Sequence, residues 1–233
     1  MLKRKSESCT DCVKCNNKAP LFQLLSSEEL IIMNMGRFEL RFNKGETIVK
    51  QGTHATHLIS LTSGMAKLYL EGFDNKNILL DILQEWRLFG GPGLFTDSKY
   101  HYSVAALSDS TACFIPIDNL RQVIRTNADF AEGLIRHCNA NSLNNFERLV
   151  SLTQKQMHGR LADVLLFFSD KLFRSDRFVL PVSRQELGEM SNMTKESVTR
   201  ILKELESEGI IALDTKHIRI LNKASLEELS LRA

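Results

Sequence analysis

The chain has 233 residues, 43% of them hydrophobic and 25% charged, which is the composition of a folded soluble protein with room for two domains. Its net charge is only +2, and from Lys155 onward 13 Lys/Arg stand against 12 Asp/Glu. Recognition of a polyanion by bulk charge is thereby excluded, and any nucleic-acid function must rest on a motif.

No 18-residue apolar run occurs, and no apolar stretch follows the basic start MLKRKSESC. Neither a membrane span nor a secretory leader is therefore expected, and a cytoplasmic location is. Three of the five cysteines, Cys9, Cys12 and Cys15, fall within seven positions. An odd total with three crowded together is not an extracellular disulfide framework. The next stretch, APLFQLLSSEELIIMNM, alternates apolar and polar residues at helical spacing, with Ser26 and Ser27 as caps before Glu28 and Glu29.

From about Phe38 to Pro116 the pattern becomes short apolar runs broken by turn residues: NKG at 43–45, QGT at 51–53, TSG at 62–64, DNKN at 74–77 and FGGPG at 89–93. Strands at this spacing predict a β-sandwich or barrel. From Asp118 to about Thr153 helix formers return, and Ala128, Ala131, Ile135, Cys138, Ser142, Phe146 and Leu149 follow steps of three and four. That is one narrow stripe on a long helix, suited to a helix–helix seam and open to a plain core reading.

Beyond Met157 a compact helical region precedes two short strands, IIAL and HIRIL, around DTK. Within it, RQELGEMSNMTKESVTRILK at 184–203 fits a helix-turn-helix position by position. Ser183 and Glu186 form a capping box. Gly188 is small where the two helices cross, Asn192 suits a left-handed turn, and Thr194 caps the second helix. Leu187, Met193, Val198, Ile201, Leu202 and Leu205 supply a buried side, leaving Lys195, Glu196, Thr199, Arg200 and Lys203 facing outward.

Arg200 can donate two hydrogen bonds to guanine O6 and N7, and Glu196 can accept from a cytosine amino group in the major groove. A solvated Glu196–Arg200 pair at i,i+4 is the plainer alternative. The hairpin around Lys216, with His217 and Arg219, reads as a wing able to touch phosphate.

At this point the chain resembles the CRP/FNR family of transcription regulators along nearly its whole length. The resemblance is carried by KGETIVKQG, LTSGMAKLYL and FGGPGLF, by the long helix, by QKQMHGRLADVLLFFSD and by SRQELGEMSNMTKESVTRILKELESEGII. It implies an α+β fold: a cyclic-nucleotide-binding-like β-roll (a double-stranded β-helix), a long dimerisation helix and a C-terminal winged helix-turn-helix. The expected division is a cysteine-rich arm at 1–18, the β-roll sensor at 19–120, the dimerisation helix at 121–154 and the DNA-binding domain at 155–233. Implied partners are double-stranded DNA, RNA polymerase and a second copy of the chain, with no membrane. The resemblance also implies that Lys195, Glu196, Thr199 and Arg200 bind DNA, at half-sites close to TTGA spaced about one helical turn apart.

The cyclic-nucleotide branch carries a Gly-Glu pair and an Arg-Ser pair, where this chain has Gly90-Gly91 and His101-Tyr102. The nucleotide's charged partners are missing. The oxygen-sensing branch instead holds an iron–sulfur cluster on three N-terminal cysteines and a fourth just before Ile-Pro, and Cys113 stands at that place. The resemblance thus implies a [4Fe–4S] cluster on Cys9, Cys12, Cys15 and Cys113 that senses oxygen or nitric oxide. The spacing of the first three is tighter than in the best-known sensor. Zinc on the same thiols, or no metal, are the alternatives, as is a regulator answering to a cyclic nucleotide or a haem-bound gas.

A cupin-type metalloenzyme is the competing class. Its candidate ligands, His54 and His57 in GTHATHL, are three apart and so on opposite faces of a regular strand. No catalytic residues are expected.

Overall fold

The computed structural model describes Cys12, Val13, Cys15 and residues 18–231; Cys9 lies outside the described residues. The chain divides into two compact units. One takes the chain up to Glu71 together with Asp81–Asn141, and the other takes Gly72–Leu80 and the chain from Ser142 onward.

In the first unit a short 3-10 turn, Pro20–Leu24, leads into α1, Ser27–Asn34. Ser26 caps α1 in a reciprocal box with Glu29. Eight strands follow along the chain: β1 (Phe38–Phe42), β2 (Thr47–Val49), β3 (His57–Ser63), β4 (Ala66–Leu70), β5 (Ile78–Leu83, of which Asp81–Leu83 belong to this unit), β6 (Leu88–Phe89), β7 (Ser103–Ala106) and β8 (Ser110–Pro116). They form two four-stranded sheets, β1-β8-β3-β6 and β2-β7-β4-β5. Neighbours in each sheet come from distant parts of the chain, as the expected β-roll requires.

β8 is the strand that matters for the thiols. It pairs antiparallel with β1 on one side and β3 on the other, with Cys113 opposite Glu39 and Ser60. β8 is buried almost throughout, on both of its faces, which matches its run of small and apolar residues, STACFIP. Its buried Ser110 hydroxyl is satisfied locally, donating to the Ser108 carbonyl at 2.8 Å and reaching the Met65 carbonyl at 3.2 Å. Met33, Ile59, Leu61, Val104, Leu120, Val123 and Phe130 form the core.

The helix expected over 121–154 is two helices. α2, Ile117–Thr126, ends at Asn127, and α3 runs from Ala128 to Gln154. Asn127 has extended backbone, φ −119° and ψ 100°. Its Oδ1 accepts from Phe130 N–H at 2.8 Å, while Nδ2 donates to the Leu24 carbonyl at 3.0 Å and to Glu29 at 2.9 Å. An asparagine that caps the following helix and ties it to α1 interrupts a helical sequence without leaving a hydrophobic gap.

In the second unit α4, Met157–Leu166, continues into a π-helical turn at Phe167–Phe173, closed by Arg174 in the left-handed region. α5 (Arg184–Ser191) and α6 (Lys195–Ser207) follow. A three-stranded sheet has the order β10-β11-β9: β9 is Arg177–Val179, β10 Ile211–Asp214 and β11 His217–Ile220. α7 covers Lys223–Leu231. The third wing strand and α7 were not expected from the sequence. Leu161, Leu165, Phe168, Leu187, Val198, Ile201, Ile218 and Leu226 are the core of this unit. Among the described residues no helix is long and apolar enough to cross a membrane.

Candidate nucleic-acid interface and thiol site

The α5–α6 pair is built by local chemistry. Ser183 accepts from Glu186 N–H while Glu186 takes the Ser183 N–H, closing the start of α5. The turn after it needs a left-handed residue, and Asn192 supplies one with φ 50° and ψ 54°. Met193 N–H then donates to the Gly188 carbonyl at 2.9 Å. A Cβ on Gly188 would collide with the Met193 carbonyl oxygen, so the close approach is between α5 and the turn, and only glycine permits it. Thr194 caps α6 by accepting from Ser197 N–H at 3.2 Å.

α6 has two faces. Val198, Ile201, Leu202 and Leu205 are buried, whereas Lys195, Glu196, Arg200 and Lys203 are exposed. Met193 is half-buried rather than part of the buried side. Thr199 is also half-buried, and its hydroxyl donates to the Lys195 carbonyl at 2.8 Å. The Glu196–Arg200 pair does not form. Arg200 Nη1 lies instead 2.7 Å from Glu204 Oε1, one turn further on. Lys216, His217 and Arg219 of the wing are exposed as well.

The stripe on α3 is not intramolecular core. Ile135, Phe146 and Leu149 are 60–64% exposed, and Leu143 and Val150 beside them are open as well. Only Phe130 of the whole helix is buried among the described residues.

Cys12, Cys15 and Cys113 are all buried. Arg37 Nη1 donates to Cys113 Sγ at 2.7 Å, and its Nε donates to Asn34 Oδ1 at 3.1 Å. The same Asn34 oxygen faces the Cys12 N–H at 3.4 Å, so the last residue of α1 ties the arm to the arginine. Burial pushes the Cys113 thiol up to about 12. The Arg37 guanidinium opposes that shift, while Glu39 and Cys12 add to it. Cys12 and Cys113, about a hundred positions apart, thus lie within electrostatic range of each other. Among the described residues no three His, Cys, Asp or Glu side chains gather as a metal-ligating set. Arg37 and Asn34 are the residues that sequence reading missed, because nothing local marks a contact spanning 76 positions.

His54 and His57 do not converge. His54 forms an isolated bridge with Lys99, and His57 packs edge-on against Phe38 with ring centroids 5.2 Å apart. At the position of the missing nucleotide partners, Tyr102 OH accepts from Gly90 N–H at 2.9 Å and His101 Nε2 lies 3.0 Å from Asp97 Oδ1.

Two family models match the chain: "Cyclic nucleotide-binding domain" over residues 39–127 and "Crp-like helix-turn-helix domain" over residues 159–229. Transcriptional activator protein FnrA of Stutzerimonas stutzeri is 23% identical over 229 residues, covering 96% of this chain and 92% of FnrA. The cAMP-activated global transcriptional regulator CRP of Pasteurella multocida is 29% identical over 183 residues, covering 76% and 87%. FixK2 from Bradyrhizobium japonicum has a TM-score of 0.77 at 20% identity, covering 84% of this chain and 98% of FixK2. A CooA mutant from Carboxydothermus hydrogenoformans gives 0.74 at 18%, covering 94% and 99%. These structures share the fold.

Proposed function

Since the chain belongs to the CRP/FNR family and is a DNA-binding transcription regulator rather than an enzyme, we propose that it works as a homodimer on a two-fold DNA site and senses oxygen or nitric oxide through an iron–sulfur cluster. The observation that carries the DNA reading is α6, whose buried side is continuous and whose opposite side presents Lys195, Glu196 and Arg200 to solvent. Thr199 sits between them. In the major groove Arg200 donates to guanine and Glu196 accepts from cytosine, giving half-sites close to TTGA. The exposed apolar stripe on α3 supports pairing of two chains along that helix, which brings two reading helices to successive turns of the duplex. RNA polymerase is the further partner that membership of the family suggests.

The donor chemistry at Cys113 fits a thiolate-ligated cluster. The sulfur is buried beside a guanidinium able to offset the negative charge of such a centre, and Cys12 is within electrostatic range. Cys9, Cys12, Cys15 and Cys113 would hold it, and the bound cluster supplies an iron centre that reacts with oxygen. Asn34 and Arg37 hold the arm against β8. A cyclic nucleotide is a poorer match, because Gly90 and Gly91 carry no carboxylate and Tyr102 is engaged with Gly90.

The test is anaerobic purification with iron, sulfide and zinc counts on the native chain and on Cys113→Ser. We expect about four iron and four sulfide per chain in the native protein, and loss of both in the variant. Zinc alone, or no metal under oxygen-free handling, overturns the cluster.

A further inference from the structure

Arg200 already has a partner before any DNA arrives. Its guanidinium Nη1 is 2.7 Å from Glu204 Oε1, and the other oxygen of that carboxylate, Oε2, is 2.8 Å from Nε2 of His158. Glu204 belongs to α6 and His158 to the first turn of α4, so the carboxylate is held from two helices at once. These contacts keep Glu204 below the usual carboxylate range, the hydrogen bond with His158 contributing most and that with Arg200 next. The group is therefore an anion throughout the neutral range.

The direction of the pair is unusual. Long side chains on a helix lean toward its N-terminus, yet Arg200 is drawn toward the C-terminal end. The residues that enter the groove lie at the other end of α6, where Glu196 is. Guanine O6 and N7 are acceptors, as is Glu204 Oε1; the Nη1 N–H that Arg200 gives to the carboxylate is one of those a guanine would need.

We propose that Glu204, fixed in place by His158, competes with guanine for Arg200 and so sets the affinity of the chain for its cognate site. This rests on the assignment of Arg200 as the guanine-reading residue. On guanine-bearing DNA the arginine leaves Glu204 for the base, and the cost of breaking the pair is subtracted from binding. At a site lacking that guanine, Arg200 stays with Glu204 and nothing is subtracted. The pair therefore weakens cognate binding selectively.

The experiment measures equilibrium binding of the full chain to a duplex with TTGA half-sites and to the same duplex with the guanine pair replaced by A·T. The proteins are the native chain, Glu204→Gln, Arg200→Ala and the double variant; Glu204→Ala is a second probe in case glutamine disturbs the fold. Removing an i,i+4 ion pair supported by a third group is expected to raise affinity for the guanine duplex about two- to fivefold. The gain should be smaller on the A·T duplex and absent in the Arg200→Ala background. An equal gain on both duplexes, or one that survives in Arg200→Ala, reflects only the lost negative charge and overturns the proposal. If Arg200→Ala retains the guanine preference, the underlying assignment of Arg200 fails instead.

Discussion

Phe146 lies in the middle of the exposed stripe on α3 and leaves 64% of its surface in water. A phenylalanine buries about 150–250 Å² when fully covered, so a seam through this position removes about 100–150 Å² per protomer from water. At about 25 cal/mol per Å² that is about 3 kcal/mol for each copy. A two-fold seam carries the substitution twice. Phe146→Ala therefore weakens the dimer by about 6 kcal/mol, and the dissociation constant rises by about four orders of magnitude.

Sedimentation velocity over a range of concentrations measures this directly. Asn144→Ala, exposed on the opposite side of the same helix, serves as the control and leaves association unchanged. A Phe146→Ala protein that associates as tightly as the native chain would refute the reasoning, because the stripe would then not be the seam.

Other expectations concern the reading unit and the β-roll. Gly188→Ala forces the α5–α6 turn to move away from a backbone carbonyl, not a flexible side chain; it should cost about 1–3 kcal/mol and weaken DNA binding, as read by thermal unfolding and titration with duplex. Asn192→Ala places alanine at φ 50° and should cost about 1 kcal/mol, whereas Asn192→Gly should be close to neutral; equal losses in the two would show that the turn conformation is not what Asn192 supplies. Burial lowers the pKa of His57 and of His137, with Arg87 acting the same way on His137. The unfolded chain therefore takes up more protons below about pH 6.5, and the stability these imidazoles contribute is complete above that pH and is lost as it falls. Unfolding measured between about pH 7 and 5 should show a shallower decline in His137→Gln.

What could be read from the sequence was what local chemistry determines. Ser183 with Glu186, Asn192 and Thr194 act on backbone groups within a few positions, so the helix-turn-helix is visible as a string of residue types. The α3 stripe is likewise periodic, although only the structure decides that it faces water. Asn127 hid the break between α2 and α3, because asparagine inside a helical sequence signals nothing until its side chain finds Leu24 and Glu29 across the fold. Arg37 beside Cys113 depends on the pairing of β1 with β8, a long-range register that periodicity does not specify. The partner of Arg200 was legible in principle. Glu204 stands four residues after it just as Glu196 stands four before, and the choice between them follows from His158, which arrives from another helix.

Selection of duplexes from a random pool by the native chain, kept free of oxygen, tests the central claim most directly. The account predicts a two-fold symmetric consensus with TTGA-like halves centred about one helical turn apart, about 34–36 Å along the axis. Enrichment of a single asymmetric half, or no enrichment at all, would contradict it.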